Sequence, residues 1–509
     1  MAIINGTANN DILTVQTDTT SVQAGAGTDT VVFSGNYADY TFSQSDSFVP
    51  LMTNNTTNQV VSLHGVEQLQ FDDCVVSLQT TGSGEFQVNT EALGSQINAS
   101  TAALVDGGFV VTWQSNLQDG DGYGIYAQRY DASGSAVGVE LQVNTYASDN
   151  QSSPSITALA DGGFVVAWNS DGLNSGIYAQ IYNADGAVVN AEILLTHSPV
   201  IHYNPSSTSI VSSTNGGFIV TWQADLPDGD GHEIFAQIYD SSGGVSSGVF
   251  QVNTNAIHSQ YDPSITILSD DRFLITWTSI GQDIDGSTGI YAQMYNSVGT
   301  AQGGEFQVNT SIPSGQSSQS ITSLSNGGFI IAWDDRGGPQ GGIKAQIFDS
   351  FGVAQGDEIS VITTTSNGST AISSLNNESF VVVYRLSDGS HFSVYAQIYD
   401  NNGNVLVDSF QVNTYALYDQ DSMSVTSLSS GGFVITWQSN VQDGSNYGIY
   451  AQRYDAEGNA LGEVTLNLRP TVSSAITDAS TNEDASYSYD TSANFTDVDV
   501  NDVLTYSAT

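Results

Sequence analysis

Carboxylates, imidazoles and phenols gather in a few short, glycine-marked stretches of this 509-residue chain. Asp119 and Asp121, Asp228 and Asp230, and Asp283 and Asp285 each stand two apart with a glycine next in line. That spacing sets hard oxygen ligands about a turn, as Ca²⁺ requires. Further acids, Asp171, Asp225, Asp334, Asp335, Asp388 and Asp443, fall in corresponding stretches. None of these stretches completes a helix-loop-helix calcium motif, so solvated acidic turns are the competing reading. His197, His202, His232, His258 and His391 lie in or beside the same stretches, together with Tyr203, Tyr261 and Asp262. Imidazole near carboxylate can hold a transition metal, bind a sugar or move a proton. Tyrosine beside aspartate can stack on a sugar ring and accept its hydroxyl hydrogens. The sequence has no His-x-x-x-His pair, Gly-x-Ser-x-Gly elbow, phosphate-binding glycine loop or Cys-His cluster, so no standard catalytic centre is marked. The ligand candidates are Tyr203, His232, Tyr261 and Asp262, with Asp228 and Asp230 beside them for Ca²⁺.

These residues are positioned by a repeat. Phe109 to Trp113, preceded by Gly107 and Gly108, returns at Phe164, Phe218, Phe273, Phe329, Phe380 and Phe433. All six tryptophans of the chain occupy the same place in it, and Tyr384 takes that place in the sixth copy. A second run ends in an Ala-Gln pair at Gln128, Gln180, Gln237, Gln293, Gln346, Gln397 and Gln452. A third, Phe-Gln-Val-Asn-Thr, begins at Phe86 and recurs at Leu141, Phe250, Phe306 and Phe410, with looser forms at Ile193, Ile359 and Val464. Self-similarity of this kind makes each repeat one supersecondary unit stacked on its neighbours.

Four short strands, a to d, make up each unit, with no helical periodicity between them. Asp-Gly-Gly or Asn-Gly-Gly joins a to b at Asp106, Asp161, Asn215 and Asn326, and an Asp or Asn followed three residues later by Gly joins c to d. Both are hairpin turns. Strand b is apolar on both faces, as a strand sandwiched between other sheets must be. The units predict an all-β fold, a seven-bladed β-propeller of four-stranded antiparallel blades, with a linear β-solenoid as the alternative. Seven a-b-c sets meet eight d elements, and Phe86 to Thr90, nearer the consensus than Val464 to Asn467, is expected to complete the last blade and remove its open edge. The b–c and d–a links then leave at one end, and the acidic, histidine and tyrosine residues above lie on that loop-rich end. The sixth blade, with Tyr384 for Trp and Glu378-Ser379 for Gly-Gly, is expected to be the weakest.

Acidic residues outnumber Lys and Arg 53 to 7, for a net charge of −46. Such a surface repels nucleic acid and anionic membranes and is compacted by cations. The lone Cys74 excludes an internal disulfide, and no stretch suits membrane insertion or a signal-peptide core. Those features fit a cytoplasmic protein, or one exported by a route that reads no N-terminal signal.

Residues 1–83 differ from the repeats. Gly6 to Asp11 and Gly25 to Val31 approximate a glycine-aspartate nonapeptide, and Leu63 to Asp73 resembles the segment that follows such repeats in RTX-type (haemolysin-type) calcium-binding proteins. The resemblance implies Ca²⁺ at Asp11 and Asp29 and signal-independent, type I-like secretion. Asn9 and Ala24 stand where glycines are usual, and a small β domain with acidic turns is the plainer reading. Residues 84–468, the propeller, look like the repeat arrays of very large bacterial surface and secreted adhesins. Residues 469–509 resemble the opening strands of a dystroglycan-type cadherin-like sandwich, a fold that needs about 100 residues. That resemblance implies Glu483, Asp497, Asp499 and Asp502 as calcium ligands completed by neighbouring domains of a longer chain.

The leading expectation is an extracellular or cell-surface, calcium-associated binding or adhesion module that meets a glycan or cell-surface ligand through the loop-rich end. The alternatives are a polysaccharide hydrolase or lyase with its site over the axis, and a passive spacer. An enzyme requires carboxylates or a Tyr-His-Arg group converging near the axis. A propeller by itself supports all three.

Overall fold

The structure is a computed structural model. It describes residues 2–5, 11–17, 19–23, 30–44, 50–64, 66, 68–72, 75–81, 84–171, 175–196, 203–225, 231–255, 258–283, 286–310, 315–336, 341–363, 369–387, 389–415, 417–461, 463–467, 471–472 and 495–496. The chain divides into two compact units, Glu85–Ala460 and a second made of Met1–Gly84 with Leu461–Thr509. Among the described residues the one helix is the 3-10 turn Tyr37–Asp39, and none is long and apolar enough to cross a membrane.

In the amino-terminal unit Ala2–Asn5, Thr19–Gln23 and Val60–His64 pair in parallel in one sheet. Ile12–Thr14, Thr30–Val32 and Gln68–Gln70 do the same in a second. The chain therefore alternates between sheets as it coils, and Val22, Val31, Phe33, Met52, Leu63 and Leu69 fill the space between them. Asp11 stands just before the second sheet's first strand and accepts the Thr30 N–H through its carbonyl (2.9 Å). Asp29 lies outside the described residues, as do Glu483, Asp497, Asp499 and Asp502. Glu463–Asn467 pairs antiparallel with Val75–Thr81 in the same unit. The eighth d element, placed by the sequence within a propeller running to residue 468, thus belongs with the first eighty-odd residues.

The other unit is a seven-bladed β-propeller of four-stranded antiparallel blades. Blade one contains Gln96–Ala103, Phe109–Asn116, Tyr123–Tyr130 and Ala136–Gln142 as strands a to d. Its strand b is buried at every position but the last, and Trp113 is fully buried, as are the other five tryptophans and Tyr384. Apolar residues on both faces of b let each blade pack against two others, which fits the reading of its composition. The a–b turn needs glycine because a Cβ at Gly108 would stand 2.2 Å from the Tyr130 carbonyl oxygen. Blade six has Ser379 at that place, and Glu378, where blade one has Gly107 at φ +92°, adopts a φ of +62°, a conformation that disfavours an L side chain by about 1–2 kcal/mol. Its Tyr384 hydroxyl is not wasted, lying 2.6 Å from Ser409 Oγ.

Phe86–Gln87 pairs with strand c of blade seven, Phe86 opposite Ala451 and Gln87 opposite Tyr450, the register that Leu141 and Gln142 have in blade one. The ring is closed by the early copy of the element.

The Phe-Gln-Val-Asn-Thr element repeats because its last two residues weld the ring. Asn89, Asn144, Asn253, Asn309 and Asn413 each accept an N–H of strand c through Oδ1. Each also donates to a strand-a glutamine seven residues on. The threonines beside them bind the carboxylate that opens the next blade's d element: Thr90 to Glu140, Thr145 to Glu192, Thr254 to Glu305, Thr310 to Glu358. Thr414 to Glu85 carries this belt across the closure. The strand-c glutamine, by contrast, works inside its own blade: Gln128 Nε2 donates to the carbonyls of Arg129 and Val137.

Candidate functional site

Strand a is the innermost strand of each blade, and in most blades it carries one residue with positive φ near its loop-rich end: Asn98, Ser153, Ser207, Asp262, Ser318 and Ser422. These bulges coincide with register shifts against strand b. A cavity of about 470 Å³ between the strands is lined by Asn98, Ser100, Ser153, Gln319, Thr370 and Ser422 among others. Its wall is small and polar.

In five blades the residue after the strand-b tryptophan bonds to the next blade's bulge or to the residue beside it. Gln114 Oε1 accepts the Ser153 N–H (2.9 Å), Gln223 that of Asp262 (2.8 Å) and Gln438 that of Asn98 (3.2 Å). Asn169 accepts the Thr208 hydroxyl (2.6 Å), and Thr278 donates to Gln319 (2.7 Å). Neutral side chains therefore do this work in five blades. Blades five and six carry Asp334 and Arg385 instead.

Ionisable departures from the repeat cluster along the rim of blades three to five. Asp262 occupies a bulge where other blades have Asn or Ser, at φ +54°. Its Oδ1 accepts the Ser207 hydroxyl (3.0 Å), and its carbonyl accepts Gln319 Nε2. Its carboxyl pKa is pushed up, chiefly by desolvation from the protein around it, although the residue remains exposed to water. His232 opens strand c of blade three opposite Asp225, with Nδ1 2.7 Å from Asp225 Oδ1, and its charge acts on Asp262. Tyr261 holds its phenolic proton above the usual range through burial and the adjacent Asp262, with Arg336 opposing. Arg336 is tethered by Nε to Asp334 Oδ2 (3.1 Å), with 55% of its side chain exposed. Tyr261, Asp262, His232 and Arg336 are thus linked through one electrostatic neighbourhood.

Three of the four ligand candidates come together there. Tyr203 opens strand a of blade three opposite Asp225, and its side chain lies outside the described part of the structure. Sequence reasoning missed Arg336 and the role of Asp225. The signal was present, since Trp333 is followed by Asp-Asp-Arg where blades one and seven have Gln-Ser-Asn.

The acidic pairs behave differently. Asp283 is 5% exposed and accepts Tyr291 Oη (2.8 Å), Gln307 Nε2 (3.0 Å) and Asn309 Nδ2 (3.5 Å). Asp119 Oδ2 likewise accepts Asn144 Nδ2 (3.1 Å). The first acid of these loops turns inward onto the strand-d asparagine. Asp121 is exposed and accepts the Asp149 N–H (3.3 Å). Asp228, Asp230, Asp285, His197 and His202 lie outside the described residues. Among the described residues no three of His, Cys, Asp and Glu gather as a group that could hold a metal ion.

No family model matches the chain. No curated protein matches it either. Among solved structures it is similar to a polysaccharide lyase described as an ulvan lyase bound to -[GlcA(1-4)Rha3S]-, at 12% identity and a TM-score of 0.50, covering 75% of this chain and 97% of that one. It is also similar to a protein of unknown function from Dyadobacter fermentans (11% identity, 63% and 98% covered, TM-score 0.46). A third is a point mutant of NanB sialidase from Streptococcus pneumoniae (10% identity, 75% and 70% covered, TM-score 0.43). At these identities the likeness is one of propeller fold.

Proposed function

We propose that this chain acts on polysaccharide at the loop-rich rim of the propeller axis between blades three and five. The carrying observation is that the residues breaking the neutral repeat there are the ones sugar chemistry uses: a phenol and a carboxylate on one strand of blade four, an imidazole on a strand of blade three and a guanidinium at a strand end of blade five. Tyr261 offers a ring face and Asp262 an acceptor for sugar hydroxyls. Structural neighbours that include a polysaccharide lyase support the reading at the level of fold.

A cleaving version is favoured by the placement of His232. The imidazole, with Nδ1 2.7 Å from Asp225 Oδ1, is the candidate to take a proton, while the phenol of Tyr261, held above its usual range, keeps one to give to a leaving oxygen. With the reading goes an extracellular setting, in which Ca²⁺ at Asp11 and Asp29 of the amino-terminal unit supports folding. That part of the proposal rests on the sequence motifs. It predicts a rise in melting temperature with Ca²⁺ that Na⁺ at matched ionic strength and Mg²⁺ do not reproduce, measured calorimetrically; equal effects of all three would leave only screening.

The test is a glycan array run with Ca²⁺ and with chelator, followed by isotherms on the best polymer. Tyr261→Phe should weaken binding roughly tenfold, the effect of one lost hydrogen bond to a polar ligand. Asp262→Ser should abolish recognition while raising stability slightly at neutral pH, by well under about 1 kcal/mol, since it restores the repeat residue and removes a charge that solvent largely screens. A carboxyl whose folded pKa is raised destabilises the fold when ionised. The gain should therefore shrink as pH falls and vanish below the unfolded value of about 4. Binding that survives both changes, but is lost on altering the a–b turns at the opposite end, would place the site wrongly. Products appearing during incubation with the polymer would select cleavage over simple adhesion.

A further inference from the structure

We infer that the polysaccharide is anionic and that Arg385 of blade six is a second cationic anchor for its acid groups, beside Arg336 of blade five. This rests on the axial-rim reading above and adds the chemical class of the ligand.

Cations are scarce in this protein. The chain has 7 Lys and Arg residues against 53 acids. Arg129 and Arg453 reach the carbonyls of c–d turns in neighbouring blades, Ala184 in one case and Ala132 and Ser133 in the other. Arg272 sits in an a–b turn against Asp270, and Lys344 lies along strand c against Ser360. Arg469 is outside the described residues. Arg336 and Arg385 are therefore the two cations found among the described residues at the loop-rich end of the propeller, and both belong to the strand-b ends of adjacent blades.

Arg385 is also the wrong residue for a merely structural task. At its position Gln114, Gln223 and Gln438 tie one blade to the next bulge with a neutral amide. Blade six does so with two ionised groups, Arg385 Nη1 standing 3.3 Å from Asp421 Oδ2. Desolvating an ion pair to replace one amide bond gains nothing for stability. The guanidinium is further fixed by Phe392, whose ring centroid is 4.5 Å from Cζ. Stacking and tethering hold a planar donor fork in place, the arrangement suited to carboxylate or sulfate. Around it stand half-exposed rings: His391 and Tyr418 meet edge to face at 5.7 Å, and Tyr447 lies within electrostatic reach of Arg385. Sugar-stacking surface and cation thus occur together. The chain's overall charge is no obstacle at contact, since repulsion from distant acids is screened beyond about 8–10 Å at physiological salt.

Calorimetric titration of the full chain with polygalacturonate and with the same polymer fully methyl-esterified tests the class directly. Dextran sulfate and dextran form the parallel sulfate pair and identify which anion is recognised. Arg385→Gln and Arg336→Asn install residues that other blades carry but leave Asp421 and Asp334 without their guanidinium, so both variants should melt a few degrees below the wild type and stay folded at the titration temperature. We expect binding to a charged polymer and at least tenfold weaker binding to its neutral partner, with each variant losing about tenfold on the charged polymer alone. Wild-type affinity in Arg385→Gln, or equal affinity for the charged and neutral forms, overturns the inference. If neutral polymer binds and Tyr261→Phe weakens it while charge has no effect, the rim reading stands and the inference fails. If no polymer binds, both fail.

Discussion

A propeller chain spanning residues 91 to 460 should lose cooperative unfolding, whereas one that starts six residues earlier at Glu85 should keep it. Those six residues supply the outer strand of blade seven and part of its seam with blade one. Val88 is buried in a cluster with Phe109, Trp113, Leu428, Val434 and Ile449, and Phe86 packs on that cluster with its ring 5.3 Å from Tyr130. Burial of two such side chains contributes about 3–6 kcal/mol. Asn89 satisfies the Ile449 N–H (2.6 Å), and Glu85 holds both Thr414 and Gln442. Buried bonds of this kind cost about 1–3 kcal/mol each when one partner is removed. The total rivals the ~5–15 kcal/mol that separates a folded domain from its unfolded chain. Calorimetry of the two chains decides the matter. In the full-length protein, Asn89→Leu isolates one part and should cost about 2–3 kcal/mol. Identical melting of the two truncated chains would mean that blade seven is stable with a bare edge.

The architecture was legible because each blade repeats its own constraints. Tryptophan, Ala-Gln and Phe-Gln-Val-Asn-Thr recur in the same order in blade after blade, and the closing strand matched its repeat well enough to be assigned to blade seven from residues alone. Val464 to Asn467 matched poorly for a physical reason: it pairs with Val75–Thr81 in the other unit and answers to different neighbours. The site was legible only in part. Tyr261, Asp262, His232 and Asp225 stood out by type, but Arg336 and Arg385 show only against the repeat, as cations at positions where no other blade has one. The direction of the loop acids could not be read from their spacing. It depends on an asparagine 25 or 26 residues on, whose partner N–H lies 19 residues before it in each of four blades. That constant interval was present in the sequence, but it acquires meaning only once the hairpin between strands c and d is folded.

Asp283 provides the sharpest test of how an Asp-x-Asp stretch is used, and replacing it with alanine should cost about 3–5 kcal/mol, near the upper range for single changes. The carboxylate is buried at the foot of the b–c loop of blade four. Without it, the Tyr291 hydroxyl and the Gln307 and Asn309 amides lose an ionised acceptor in a place water reaches poorly. Tyr291 cannot relieve the loss by changing charge, because burial first and the Asp283 bond second already hold its phenol far above the usual range. Asp121→Ala, in the equivalent loop of blade one, removes an exposed group and should cost less than about 0.5 kcal/mol. If Asp283 is a structural anchor, the loss in denaturant unfolding should be the same in Ca²⁺ and in chelator. A loss seen only with Ca²⁺ would make Asp283 a metal ligand instead, because stabilisation by a bound ion scales with its concentration over Kd and disappears when the ion is withdrawn.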